Sequence, residues 1–236
     1  MSFESSLRAN ILEAARDMNT GGTRFANFRN SRCNDKYWHL TNQGGFLLKK
    51  GVTPAAGIKD IFVHGPKYAF ECAVAVVILM YKAVLDTIGE ESFNTLFPDL
   101  ELYSWNNDRD LGLTNRVIDS GYALPGDILY FKNPDVNRDK LEWQGENVIK
   151  MGNDLYYGHG LGIKNAAGMI KALNRQRHAD ADESAYLEDQ ITYPNYAYLA
   201  QYAPAEMRNH QELSLRAGSR REPLLYAQIN DLLYFI

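Results

Sequence analysis

Tyr68-Ala69-Phe70-Glu71-Cys72-Ala73-Val74-Ala75-Val76-Val77-Ile78-Leu79-Met80-Tyr81-Lys82-Ala83-Val84-Leu85 is the stretch on which the fold turns. Its apolar residues fall on nearly every side of a 3.6-residue period, so the spacing predicts a helix buried on most faces. Pro66 lies within a turn of the expected start, and Gly89 supplies the stop. The run from Ala73 to Leu85 is interrupted by Lys82 and is too short for a bilayer, which needs roughly 20 apolar residues. Cys72 enters this helix in its first turns. There, unpaired N–H groups and the positive end of the dipole lower a thiol pKa and offer donors to an oxyanion. The same residue also reads as a small core hydrophobe, a common fate of free cysteines.

Upstream, Phe3 to Asn19 places Leu7, Ile11, Leu12 and Ala15 at helical spacing before the stop Thr20-Gly21-Gly22. Lys36 to Leu48 reads as a hairpin or loop-rich pair around Asn42-Gln43-Gly44-Gly45. Thr53-Pro54 opens a short helix through Ile58, Ile61 and Phe62, which His64-Gly65-Pro66 ends. Downstream of Phe93 and Pro98, short β-rich runs (100–105, 126–132, 146–150 and 155–163) predict an antiparallel sheet. Ala166 to Arg177 returns to helical spacing, and Asp182 to Gln190 is expected to follow it. Tyr193 onward, with Arg216, Arg220, Arg221 and a last amphipathic run from Pro223 to Ile236, reads as an appended segment. The expected division is therefore a body over residues 1–190 and a C-terminal extension over 191–236, packed on or beside it.

With 236 residues, the chain can build one substantial core. A net charge of -4 argues against nucleic acid or an anionic membrane as partner. Glu4, Ser5 and Ser6 stand where a secretory peptide would be basic and then apolar, so synthesis in the cytoplasm without a signal peptide is expected. Cys33 and Cys72 are the two cysteines, too few for a disulfide framework or a four-thiolate zinc site. Asn106, Asp108 and Asp110 have the look of a calcium loop, but Leu111 and Val117 occupy the positions of its turn glycine and bidentate Glu. Gly158-x-Gly160-x-Gly162 lacks phosphate-loop spacing, and His39 and His64 lack partners at metal-ligand spacing. Neither a cofactor nor a metal is expected.

A thiol nucleophile needs a base. Gly158-His159-Gly160 sits in a strand-like run with no bulky neighbour to screen the imidazole, and Glu146 follows Trp143 and Gly145 at the head of another run. Each also has a structural reading, His159 as a hydrogen-bonded core or turn residue and Glu146 as a solvated strand-edge charge. Spacing alone favours His159 as the base.

The block Tyr68 to Cys72, the apolar helix after it and Asp86-Thr87-Ile88-Gly89-Glu90 resemble the bacterial spore-coat transglutaminases, the protein-glutamine γ-glutamyltransferases. Further blocks agree in order: Gly126-Asp127, Leu129 to Pro134, Trp143-x-Gly145-Glu146-Asn147-Val148-Ile149, and His159 to Ile163. The resemblance spans roughly Asn10 to Tyr186. It implies an α+β, NlpC/P60 (papain-like) fold with the nucleophile at a helix start packed on an antiparallel sheet. It assigns the nucleophile to Cys72, the principal partner to Glu146 and a second carboxylate to Glu71, with His159 nearby. Substrate contacts fall on Phe25, Trp105, Tyr130, Trp143 and Asn147.

The implied activity is calcium-independent cross-linking of protein Gln and Lys side chains through a thioester, in a spore-coat setting. The alternatives are a glutamine deamidase or other thiol amidase of the same fold, and a non-catalytic assembly protein that retains it. A Cys-Glu pair must close a gap of about four pKa units, or roughly 6 kcal/mol. Burial and Glu71 are expected to raise Glu146, and the helix start to lower Cys72.

Overall fold

The computed structural model describes residues 2–104, 109–207, 226–229 and 232–235. Helix α1 (Phe3–Thr20) is capped by the Ser2 side chain, which accepts the Ser5 N–H, and buries Leu7, Ile11, Leu12 and Ala15 as their spacing requires. Strand β1 (Arg24–Phe25) follows. Strands β2 (Trp38–Leu40) and β3 (Phe46–Leu48) then form the expected antiparallel pair, with Trp38 opposite Leu48. Helix α2 (Pro54–Val63) starts on a Thr53 cap with proline in its first turn.

The central helix begins later than the apolar spacing predicts. Ala69–Phe70 is a strand, β4, running parallel to β1, and α3 (Cys72–Ile88) starts only at the cysteine. Tertiary hydrogen bonds decide this: the carbonyls of Tyr68 and Phe70 accept the N–H groups of Arg24 and Ala26, and Ala69 exchanges both bonds with Arg32. Backbone groups already paired to neighbours do not enter a helix. Cys72 therefore occupies the first helical position.

Next come α4 (Glu90–Leu96) and β5 (Glu101–Leu102), the latter added to β3. The main sheet is built from β6 (Thr114–Val117), β7 (Ile128–Lys132), β8 (Gly145–Gly152), β9 (Leu155–Gly158) and β10 (Gly162–Asn165). Helix α5 (Ala166–Asn174), β11 (Tyr186–Leu187), β12 (Gln190–Tyr193) and α6 (Tyr196–Leu199) follow. Two strands near the C-terminus, β13 (Tyr226–Ile229) and β14 (Leu232–Phe235), pair as a hairpin whose second strand runs beside α1.

The sheet is antiparallel in the order β10-β9-β8-β7-β12-β6, with β11 on β7. Neighbouring residues on its central strands go to opposite cores. Ile128, Ile149 and Tyr157 join the main core with α1 and α3, while Leu129, Val148 and Tyr156 join Met169 and Leu173 of α5. Burial on both faces explains why these strands read as apolar runs without alternation.

Three further expectations change. The run 155–163 is two strands of a hairpin, and His159 stands in the turn between them, closed by Leu161 N–H to the Gly158 carbonyl at 3.1 Å. Asp182 to Gln190 is not helical, because Asp135 takes the N–H groups of Asp182 and Glu183 and β11 pairs with β7. The boundary drawn at residue 190 falls inside the body: β12 is an inner strand, and Leu199, Ala200 and Ala203 belong to the main core. Trp105, Asn106 and Asp108, and the trio Arg216, Arg220 and Arg221, lie outside the described residues. No described helix is long and apolar enough to cross a membrane.

Candidate active site

The site is assembled where α3 starts against β8. Glu71, with extended backbone (φ -82°, ψ 160°), caps the helix: its Oε2 accepts the Ala73 N–H at 2.6 Å. Such a cap is worth about 1 kcal/mol. Its other oxygen, Oε1, accepts the Cys72 thiol at 3.0 Å. From β8, Asn147 Nδ2 donates to Cys72 Sγ at 3.3 Å. A carboxylate on one side and an amide on the other thus hold the sulfur.

Glu146, the residue before Asn147, is 0% exposed, and neither of its oxygens accepts a hydrogen bond of ordinary geometry. Burial first, and the charge of Glu71 second, hold its carboxyl well above the usual range; the His159 backbone N–H acts in the opposite sense. Space for this side chain comes from Gly158 on the adjacent strand. A Cβ there would stand 2.9 Å from Glu146 Cγ and Oε1. Glu146 is therefore a buried group, contrary to its reading as a solvated edge charge.

Cys72 does not behave as its helix position alone suggests. Burial, then Glu146, then Glu71 push its thiol well above the ordinary value, against a smaller opposing effect of the Asn147 backbone N–H. Desolvation and two carboxyls outweigh the helix end, whose nearest donor Glu71 has already taken. Both effects favour the thiol form of Cys72, which donates to Glu71.

Both ring nitrogens of His159 face partners within the fold. Its Nε2 lies 3.1 Å from the Arg24 carbonyl, which can only accept, and its Nδ1 lies 3.2 Å from the Tyr157 hydroxyl. The ring stacks on Phe70 at 4.5 Å, and burial lowers its pKa to about 4. A neutral imidazole with both nitrogens engaged ties the β9–β10 turn to β1 and β4. Gly160 (φ +95°) completes that turn, and a Cβ on it would meet Phe25 Cβ at 2.8 Å.

A groove of about 500 Å³ opens beside the sulfur, with Glu71, Cys72, Tyr130 and Asn147 in its wall and Phe28, Glu142 and Glu188 around it. Phe25 and Trp143 pack together, ring centroids 4.6 Å apart. Of the residues singled out from sequence, the fold gathers Cys72, Glu71, Asn147 and Tyr130 around one groove and buries Glu146 behind it. Phe28, Tyr157 and the Arg24 carbonyl went unnoticed, since single aromatics and backbone atoms carry no sequence signature. Gly158 did stand out, through its spacing to His159.

The family model for protein-glutamine gamma-glutamyltransferase matches residues 1–203, beyond the resemblance drawn to Tyr186. A Bacillus pumilus protein-glutamine gamma-glutamyltransferase is 48% identical over 199 residues, covering 84% of this chain and 80% of that relative. One from Bacillus mycoides is 45% identical over 204 residues, 86% of this chain and 73% of the relative. The solved transglutaminase from Geobacillus stearothermophilus (without C-terminal extension) superposes with a TM-score of 0.82 at 50% identity, over 86% of this chain and 96% of that one. Sequence over residues 1–203 and the same arrangement of helices and antiparallel sheet agree that the chain belongs to the protein-glutamine gamma-glutamyltransferase family.

Proposed function

We propose that this protein forms ε-(γ-glutamyl)lysine cross-links between proteins, with Cys72 as nucleophile and Glu71 and Glu146 as its two proton-handling carboxyls. One observation carries this reading: a groove-lining thiol donates to Glu71 while a second, fully buried carboxyl, Glu146, stands in its field without a hydrogen bond of ordinary geometry. A buried polar group left unsatisfied invites a functional account. Two carboxyls in unlike environments are suited to opposite roles.

In the first half-reaction, the thiol proton passes to Glu71 as sulfur attacks the carboxamide carbon of a glutamine side chain. Glu146, kept neutral by burial, gives its proton to the departing nitrogen, and ammonia leaves as the thioester forms. In the second, the neutral amine of a lysine attacks the thioester and loses a proton to Glu146. The released sulfur recovers its proton from Glu71. Each carboxyl ends as it began.

Glu142 and Glu188 at the groove give a lysine ammonium a favourable approach. Phe28 and Tyr130 supply aromatic surface in the groove wall, and excluding water there favours the amine over hydrolysis to glutamate. The β13–β14 hairpin beside α1 belongs to an extension of this catalytic body. His159 acts as a positioning residue.

The test is incorporation of a primary amine into a glutamine-bearing protein in a chelated, calcium-free buffer. Cys72→Ala is expected to abolish incorporation and thioester-dependent ammonia release. Activity in that variant would refute the assignment. Ammonia release unchanged by added amine, with glutamate as the product, would make the enzyme a deamidase instead.

A further inference from the structure

We infer that the side-chain amide of Asn147 is the oxyanion donor for acyl transfer at Cys72, a role that rests on the transglutaminase reading above. A nucleophile at a helix start ordinarily turns to the unpaired N–H groups of the first turn for this purpose. Here the Ala73 N–H is closed by Glu71 Oε2 at 2.6 Å. The same carboxylate that receives the thiol proton therefore removes a backbone donor. A side-chain donor from another element can stand in for it beside the sulfur.

Asn147 is that group by position. Its Nδ2 is 3.3 Å from Cys72 Sγ, it lies in the groove wall, and its residue is nearly buried. It stands on β8, a central strand of the sheet, opposite Tyr130 of β7. When sulfur bonds to the carboxamide carbon, the carbonyl oxygen becomes an oxyanion two bonds from that sulfur. A donor already aimed at the sulfur reaches that oxygen with a small shift, which is the preorganisation such a site requires.

The balance of the step is simple. The S–C bond forms, the carbonyl π electrons move to oxygen, and the oxyanion accepts the Asn147 N–H. Collapse restores the carbonyl and expels the nitrogen with the proton from Glu146. Asn147 neither gains nor loses a proton. A neutral donor also suits a site that already holds two carboxyls, since an ionisable residue there would itself titrate against them.

The experiment uses the full chain with Asn147→Ala and Asn147→Ser, the latter keeping a hydroxyl but withdrawing its reach. Steady-state amine incorporation into a glutamine-donor peptide gives kcat and KM. Alkylation of Cys72 by iodoacetamide across pH reports whether the thiol is present, accessible and normally ionised in each variant.

Both variants are expected to lose roughly 10²- to 10³-fold in kcat, with KM for the peptide and the alkylation profile within about threefold of the parent. Should Asn147→Ala fail to fold, Asn147→Ser carries the test. A kcat within about threefold of the parent overturns the proposal. So does a loss confined to KM, or an alkylation rate that falls in step with kcat, which would assign Asn147 to thiol ionisation. If Cys72→Ala itself keeps activity, the transglutaminase reading has failed instead.

Discussion

Glu71 and Glu146 bring the same side chain to one thiol from two different elements, the turn that starts α3 and the sheet strand β8. At the helix start, Glu71 spends one oxygen on the Ala73 N–H and the other on the thiol. On the strand, Glu146 is sealed between β7 and β9 with neither oxygen paired, in space that Gly158 leaves open. Glu71 is tied to two donors, whereas burial pushes Glu146 toward its neutral form. The two elements therefore prepare an acceptor and a donor of protons from one residue type, as the proposed two-step exchange requires.

Glu146→Gln should break that division most severely. Its expected effect is a fall in kcat of roughly 10²- to 10³-fold, the usual scale for losing a general acid-base, read by steady-state amine incorporation. Stability should move the other way. Because the native state raises this carboxyl, its contribution is greatest below the unfolded value near ~4.3 and is lost as pH rises through the folded value. The variant should therefore melt above the parent at pH ~8 by about 3 °C for each ~1 kcal/mol relieved, and the difference should vanish at low pH. A variant less stable than the parent at high pH would show that Glu146 is satisfied as an anion, and the contrast with Glu71 would collapse.

Glu71→Gln should have the smaller catalytic effect, roughly 10²-fold in kcat, because it removes the acceptor of the thiol proton while a glutamine oxygen still caps Ala73. A kcat within about threefold of the parent in the same assay would show that Glu71 does not take the thiol proton. Smallest of all, His159→Gln should lower kcat by no more than about fivefold and leave the pH-rate profile between about pH 6 and 8 unchanged. The native imidazole, lowered to about 4, is already neutral there, and glutamine can still donate to the Arg24 carbonyl. Loss of a limb near pH ~6.5 in that variant would restore histidine as the base. For stability the sign is opposite to Glu146: the His159 contribution is present above the unfolded value near ~6.5 and lost as pH falls toward about 4.

Much of this molecule was legible in residue order. The amphipathic spacing of α1, the cap and proline of α2, the all-round apolar run of α3 and the turn residues between β2 and β3 each act within a few residues, where local physics decides. Spacing points to His159 as the base, and the matching blocks point to Glu146. Elements that depend on distant partners were misread. β4 is extended because Arg24, Ala26 and Arg32 claim its backbone, and Asp182 to Gln190 is extended because β7 and Asp135 do the same.

The sequence by itself determined that a cysteine would open a buried helix, with a carboxylate beside it and a second on a sheet strand. Only the tertiary structure decided their chemistry. It turned the histidine to backbone and tyrosine partners, raised the thiol that the helix end should have lowered, and buried Glu146 without a hydrogen bond of ordinary geometry. Dipoles and propensities are properties of neighbours in the chain, whereas desolvation and pairing depend on what the fold stacks against a group in space.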